Sequence, residues 1–259
     1  MTDVTNKSFQ LPTIRSIASE DPWRWLTLGW RDLTRHPGLS LGYGLVFTLA
    51  CWGVTALLLA YDLLALAIPV AAAVIFCGPL LAVGLYELSR RIAAGEPVHF
   101  TAIAFVRTRA PTQIAFMGLA LAFFALVWIR VATLLFALFF GEYNQPFTEL
   151  LRVLLLTFDG IIFLSIGSLI GAGLGFLAFS ISAISIPRLV DRNTDAITAI
   201  VTSVAAVRQN FWPMMLWAWL IGMLTAIGLA TLFVGFIVIF PLVGHATWHA
   251  YRALVNDES

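Results

Sequence analysis

Charge is what this chain has least of. Only 11% of its 259 residues are Asp, Glu, Lys or Arg, against about a quarter in soluble domains. Fifteen basic and fourteen acidic residues nearly cancel, so no net charge points to a nucleic-acid partner. Cysteine is almost absent. Cys51 and Cys77 stand in apolar runs with no metal-ligand spacing and read as small packing residues. The first 38 residues hold no apolar h-region. No cleavable leader is therefore expected, and the first hydrophobic run should act as the insertion signal. Three motifs are also missing: a glycine loop ahead of a lysine, a metalloprotease histidine-glutamate motif and a serine elbow. No reaction is indicated, and no cofactor is required.

What the chain has in abundance is apolar surface. Hydrophobic residues make up 60% of it, and the mean hydropathy is +0.92. Lipid must be the medium around most of it. A helix needs about 20 apolar residues to cross a bilayer core of roughly 30 Å. Such runs occupy 39–60, 63–88, 112–140 and 160–186, and a double-length run covers 214–255. The last is expected to break near 230–235 into a tight hairpin. In lipid every backbone amide must be bonded internally, so these runs are predicted to be helices. The expected fold is all-α: a polytopic membrane bundle of six transmembrane helices, arranged as three hairpins with cytoplasmic interfacial helices. Residues 1–38 would form a cytoplasmic segment, 39–255 the transmembrane domain and 256–259 a cytoplasmic tail.

Basic residues orient the bundle. Lys7, Arg15, Arg24, Arg31, Arg35, Arg90, Arg91, Arg107, Arg109, Arg188, Arg192, Arg208 and Arg252 fall on one side of these spans. Arg152 alone falls on the other, and Arg130 lies within a span. Both termini are therefore expected in the cytoplasm.

One unit recurs three times. Each has an amphipathic stretch, an opening proline (Pro37, Pro111, Pro213), an outgoing helix, and a returning helix with its own proline (Pro79, Pro187, Pro241). Pro79, Tyr86 and Arg90 of the first unit fall on Pro241, Trp248 and Arg252 of the third. Residues 21–36 read as an interfacial helix, with Asp21 as its cap and Pro22 at its first position. Trp23, Leu26, Trp30 and Leu33 would form its apolar stripe. A similar stripe, Ile197, Ile200, Val204 and Val207, marks 195–209. Trp23, Trp25, Trp30, Trp248, Tyr251 and Arg252 are the expected interfacial anchors.

The densest polar cluster runs from Gly244 to Arg252. His245 and His249 are four apart and share a helical face. With Glu87 or His36 as a third ligand they could chelate a divalent metal. A pH-sensitive contact of His249 with Glu87 is a second reading, and plain interfacial chemistry is a third. Arg130 sits within an apolar run, where a charge must pair or snorkel; Asp159 and Glu142 are the candidate partners. Alternatively the third span ends near Arg130, leaving 131–140 and 147–155 along the outer interface. Gly167, Gly171 and Gly175 supply Gly-x-x-x-Gly spacing for close helix packing.

Four runs carry a family resemblance: Gly84-Leu85-Tyr86-Glu87-Leu88-Ser89-Arg90-Arg91, Trp128-Ile129-Arg130, Ser185-Ile186-Pro187-Arg188-Leu189-Val190-Asp191-Arg192, and Gly244-His245-Ala246-Thr247-Trp248-His249-Ala250-Tyr251-Arg252. Together they resemble domain of unknown function 2189, a bacterial integral-membrane family without an established activity. The resemblance implies the bacterial inner membrane. Some members are labelled putative cytochrome c oxidase subunits, which implies association at most. Four histidines in total cannot furnish the ligands of a catalytic oxidase subunit. The leading expectation is a non-enzymatic scaffold, accessory or assembly factor touching lipid and other membrane subunits. A small-solute transporter and a metal-binding respiratory accessory are the alternatives.

Overall fold

A computed structural model describes residues 12–63, 66–104, 106, 110–141 and 147–256. Lys7, Arg107, Arg109 and Glu142, used above, lie outside the described residues. The order is β1 (Thr13–Ile14), α1 (Asp21–Arg35), α2 (Pro37–Ala60), α3 (Ala67–Leu81), α4 (Val83–Ala94), α5 (Phe100–Ala104), α6 (Pro111–Phe140), α7 (Phe147–Leu156), α8 (Phe158–Ser182), α9 (Ser185–Asp191), α10 (Ala196–Gln209), α11 (Phe211–Ala230), α12 (Phe236–Leu254) and β2 (Val255–Asn256). The protein is a polytopic helical membrane protein. Among the described residues five stretches are long and apolar enough to cross a bilayer: Pro37–Ala60, Pro69–Ala94, Pro111–Phe140, Phe158–Asp191 and Phe211–Ala230. The expected sixth, α12, does not reach that standard by length and composition, because its second half carries His245, Thr247, His249 and Arg252.

Proline chemistry explains several boundaries. Pro37 and Pro111 open α2 and α6, where a missing N–H costs nothing. Pro213 lies in the first turn of α11. Helix α8 breaks at Ala183 and Ile184, before α9 resumes. Ala183 lies four residues before Pro187, where the proline ring meets the carbonyl. The freed Ile184 N–H is taken by Ser203 Oγ at 3.2 Å. The long apolar run breaks at 231–235, where Leu232 (φ 52°) and Phe233 (φ 71°) adopt left-handed backbone. The turn is closed by Phe233 N–H on the Gly228 carbonyl at 2.9 Å. Helix α6 is unbroken through Arg130, so 131–140 is not a separate segment. Its 30 residues rise about 45 Å, longer than a bilayer core.

A compact cap gathers the helix ends at one side. Strands β1 and β2 pair antiparallel, Thr13 with Asn256 and Ile14 with Val255. Asn210 ties the N-terminal segment down. It accepts from Ile17 N–H at 2.9 Å and donates to the Arg15 carbonyl at 3.0 Å. Gln113, in the first turn of α6, accepts the Ala196 N–H of α10 at 3.0 Å. Asp195 rather than a glycine caps α10, accepting from the Thr198 N–H at 2.8 Å. That bond and the one from the Thr198 hydroxyl hold its carboxyl below the usual carboxylate range. Helix α1 has no side-chain cap. Asp21, expected in that role, instead accepts the Ala18 N–H at 2.8 Å.

Helix α12 is the hub of the cap, and glycines let its neighbours approach. A Cβ at Gly29 of α1 would stand 2.7 Å from Ala246 N and 2.9 Å from Leu242 O. One at Gly44 of α2 would collide with the Ile237 carbonyl, whereas one at Gly42, two residues away, would meet nothing within 4 Å. Gly44→Ala should therefore lower the thermal midpoint in detergent, by about 1–3 kcal/mol of stability as for other overpacked sites. Gly42→Ala should be neutral or slightly stabilising, since alanine is the better helix former. Equal midpoints for both variants would contradict the α2–α12 contact.

Candidate functional site

Four helices meet around one histidine. His245 of α12 is fully buried, as are Ser40 of α2 and Ser89 of α4, and Asp32 of α1 is 7% exposed. Ser40 Oγ lies 3.0 Å from His245 Nε2. Ser89 Oγ lies 2.7 Å from His245 Nδ1 and donates to Asp32 Oδ2 at 2.7 Å. His249 Nε2 lies 2.9 Å from the same carboxylate oxygen. The two histidines are one turn apart, so a single face of α12 presents both.

The proton on every bond follows from the carboxylate. An ionised Asp32 only accepts. Ser89 therefore spends its one proton on Asp32 and must accept from His245 Nδ1–H. That leaves His245 Nε2 as an acceptor for the Ser40 hydroxyl, while His249 Nε2–H donates to Asp32. The chain Ser40–His245–Ser89–Asp32–His249 is thus satisfied at each named contact, with neutral His245 in its Nδ1–H tautomer. Burial pushes the Asp32 carboxyl up, but the hydrogen bonds from His249 and Ser89 and the adjacent His249 imidazole outweigh it. The group is held below the usual carboxylate range.

The candidate ligands His245, His249, Glu87 and His36 are not gathered on one point. Both ring nitrogens of His245 face serines, and His249 faces Asp32. Glu87 is held by Arg90 at 2.7 and 2.9 Å and by Arg91 at 2.6 Å. His36 is half-buried at the α1–α2 junction, where its side chain makes no capping bond. Among the described residues no group of three or more His, Cys, Asp or Glu is placed to hold a metal ion.

The other expected residues are scattered. Arg130 and Asp159 are both exposed, and no ion pair joins them among the described residues. Gly171 faces the Trp128 ring of α6, where a Cβ would stand 2.9 Å away. Gly167 looks onto Leu135 and Gly175 onto Phe76 of α3, both at ordinary contact. Of the expected anchors, Trp23, Trp30 and Arg252 are exposed. Trp25, Trp248 and Tyr251 are instead core residues, each at most 2% exposed. Trp25 packs edge-on against Trp217. The Tyr251 hydroxyl donates to Asp191 at 2.8 Å, and Arg252 lies 3.4 Å from the same carboxylate. The buried face of α1 is Pro22, Trp25, Gly29, Asp32 and Leu33; of the predicted stripe Leu33 lies on it and Leu26 is half-buried, while Trp23 and Trp30 are exposed.

Asp32, Ser40 and Ser89 are not found by motif reading, but one signal was present. Ser40, Gly44 and Thr48 are the buried residues of α2, and they recur every four positions in an otherwise lipid-facing helix. Small or polar residues at that spacing mark the face turned to another helix. Trp52 continues the row. It donates to the Leu232 carbonyl at 2.9 Å, and Thr48 donates to that of Phe233 at 3.2 Å.

Comparison with known proteins adds one finding. Residues 65–191 match the model of DUF2189, described as a predicted integral membrane protein. That match holds three of the four runs that carry the resemblance, apart from Arg192 at the end of the third. The histidine run lies beyond it. No curated protein and no solved structure matches.

Removing one member of the network strands its partner. Ser89→Ala leaves His245 Nδ1–H without an acceptor and should cost about 1–3 kcal/mol, read as a lower thermal midpoint. Asp32→Asn should also change the pH profile. A depressed folded pKa contributes stability that is complete above the unfolded carboxylate value near ~4. That stability is lost as pH falls through the lower folded value. Thermal scans across the acid range should show a shallower decline in Asp32→Asn than in the wild type; superimposable profiles would remove Asp32 from the network.

Proposed function

For a chain that carries this predicted integral membrane family segment, we propose a non-enzymatic scaffold or accessory role in the bacterial inner membrane, with six crossings and both termini in the cytoplasm. The even number rests on β1 and β2. Termini hydrogen-bonded to one another must lie on the same side of a bilayer, and five crossings would separate them. Helix α12 then supplies the sixth. The arginines support the orientation. Arg15, Arg24, Arg31, Arg35, Arg90, Arg91, Arg188, Arg192, Arg208 and Arg252 belong to the elements of the cap, while Arg152 is on α7 at the far end.

The observation that carries the scaffold reading is the contrast between cap and spans. In the cap, α9 buries six of its residues and α12 buries Gly244–Trp248 without a gap. In the most apolar windows of Pro111–Phe140 and Phe158–Asp191, only 6% of the residues are buried inside the fold. Helices so little used by their own chain offer long flanks to lipid and to other helices. The interfacial helices expose apolar faces as well: Trp23 and Trp30 on α1, Ile197 and Val204 on α10. The buried face of α10 is mostly small or hydroxylated, as in Thr198, Ala199, Thr202 and Ser203. That inversion suits a helix lying at the headgroups.

Two measurements test this reading. A fluorescent reporter that matures only in the cytoplasm should light up when fused after Ser259 and stay dark when inserted at Asp62. The reverse pattern would invert the topology. In-membrane cross-linking followed by purification in mild detergent should recover a stoichiometric membrane partner. A chain that is recovered alone, as a monomer, would end the scaffold reading.

A further inference from the structure

The membrane half of the bundle is not filled. Helices α2, α3, α8, α11 and α12 surround a cavity of about 860 Å³, within the 300–1,000 Å³ typical of ligand sites. Protein interiors seldom keep voids larger than a water molecule, so a space this large needs an occupant. Helix α11 packs on α1, α10 and α12 and faces α3 and α8 across the gap. Two of the glycines on its wall are not used for packing: a Cβ at Gly78 or Gly222 would meet nothing within 4 Å. Wall residues Val54, Ile75 and Trp219 are also exposed, so the space is open to surrounding lipid rather than sealed.

The wall chemistry selects what can enter. Its hydroxyls are turned back on their own helices. Thr55 donates to the Cys51 carbonyl at 2.9 Å, Ser182 to Ala178 at 2.7 Å, Thr225 to Ile221 at 2.7 Å and Thr247 to Val243 at 2.8 Å. A polar solute or a file of waters would find few partners there, and genuinely apolar cavities stay dry. Two polar groups differ. Trp217 is fully buried on the wall, and its indole N–H has no hydrogen-bond partner. Tyr86, 2% exposed, is also on the wall, and no hydrogen bond from its hydroxyl is found among the described residues. Both stand toward the cap, on the first half of α11 and on α4. A donor left unpaired away from water is costly, and a carbonyl oxygen in the space would satisfy the Tyr86 hydroxyl, whereas the Trp217 N–H is closed off from it.

We infer that this cavity binds one acyl chain of a membrane phospholipid, its hydrocarbon lying between α3, α8 and α11 and its ester carbonyl toward Tyr86. The chain supplies apolar bulk that the small wall residues do not, and the ester is the acceptor that a hydrocarbon lacks. The site is independent of the scaffold reading, because it needs only this polypeptide and lipid.

The test uses the full chain in vesicles of phosphatidylethanolamine doped with a phospholipid carrying a diazirine near the end of one acyl chain. After illumination, peptide mapping should place label on cavity-wall residues such as Ala178 and Gly222, beyond that on the outward-facing Leu126 and Leu169. Native mass spectrometry of the purified protein should retain one phospholipid per chain. Gly222→Phe, which fills the space, should lower wall labelling several-fold while labelling at Leu126 is unchanged. Tyr86→Phe, a smaller change that keeps the ring, should weaken phospholipid retention. Size-exclusion profiles identical to the wild type establish that each variant is folded. Label confined to Leu126 and Leu169, a prenyl lipid retained in place of phospholipid, or wall labelling unchanged in folded Gly222→Phe would each overturn the proposal.

Discussion

One buried carboxylate sets the geometry of the cap. Asp32 is almost out of reach of solvent, and an ionised group in such a place must be met by donors. The donors come from two other helices: Ser89 of α4 and His249 of α12. Because Ser89 has only one proton, the demand passes through it to His245 and on to Ser40 of α2. Four helices are thereby brought into one register, and the direction of every proton is dictated from one end. A hydrophobic contact is non-directional and would tolerate sliding. This chain of bonds does not.

That directional lock matters because the membrane half cannot supply one. Between helices in lipid there is little hydrophobic drive, since acyl tails are as apolar as leucine. Association there relies on close packing and a few hydrogen bonds, and α2 shows both. Ser40, Gly44, Thr48 and Trp52 form one row, and every member meets α12 or the turn before it. Helix α3 packs along α6 as closely, but between α3, α8 and α11 the spans leave a cavity. The cap holds the helix ends, so the spans can stand apart without the bundle dissolving.

What was legible in the sequence divides along the same line. Apolar runs declared the spans, because lipid leaves helices as the only option. The break at 231–235 could be placed from length alone, since 40 apolar residues exceed one crossing. The seam was harder. On α1 the tryptophans drew attention to Trp23 and Trp30, which are exposed, whereas the face that docks is Trp25, Gly29 and Asp32. Tryptophan at a membrane surface and tryptophan in a core share the same composition, and a single sequence does not say which neighbour α1 will meet. His245 and His249 were conspicuous for their spacing. Their partners were not, because serine is common in membrane helices and Asp32 looked like one more charge on an amphipathic face. Only the fold brings residues more than 200 positions apart within hydrogen-bonding distance.

Under the six-crossing arrangement proposed above, α12 is where counting spans by hydropathy and by topology disagree. Its first half, Phe236 to Val243, is apolar, and there Phe47 stacks on Phe240 and meets Phe236 edge-on. Its second half is polar because it is the surface on which α1, α2 and α4 dock. Averaging over the helix dilutes one with the other. Of the residues that lower its hydropathy, His245, Thr247 and His249 are turned toward protein, so they need not be costly in the bilayer, while Arg252 at the helix end is exposed. Polarity within α12 is therefore a sign of contact rather than of exposure to water. A helix with one end in lipid and the other inside a protein cap will always read as half a span.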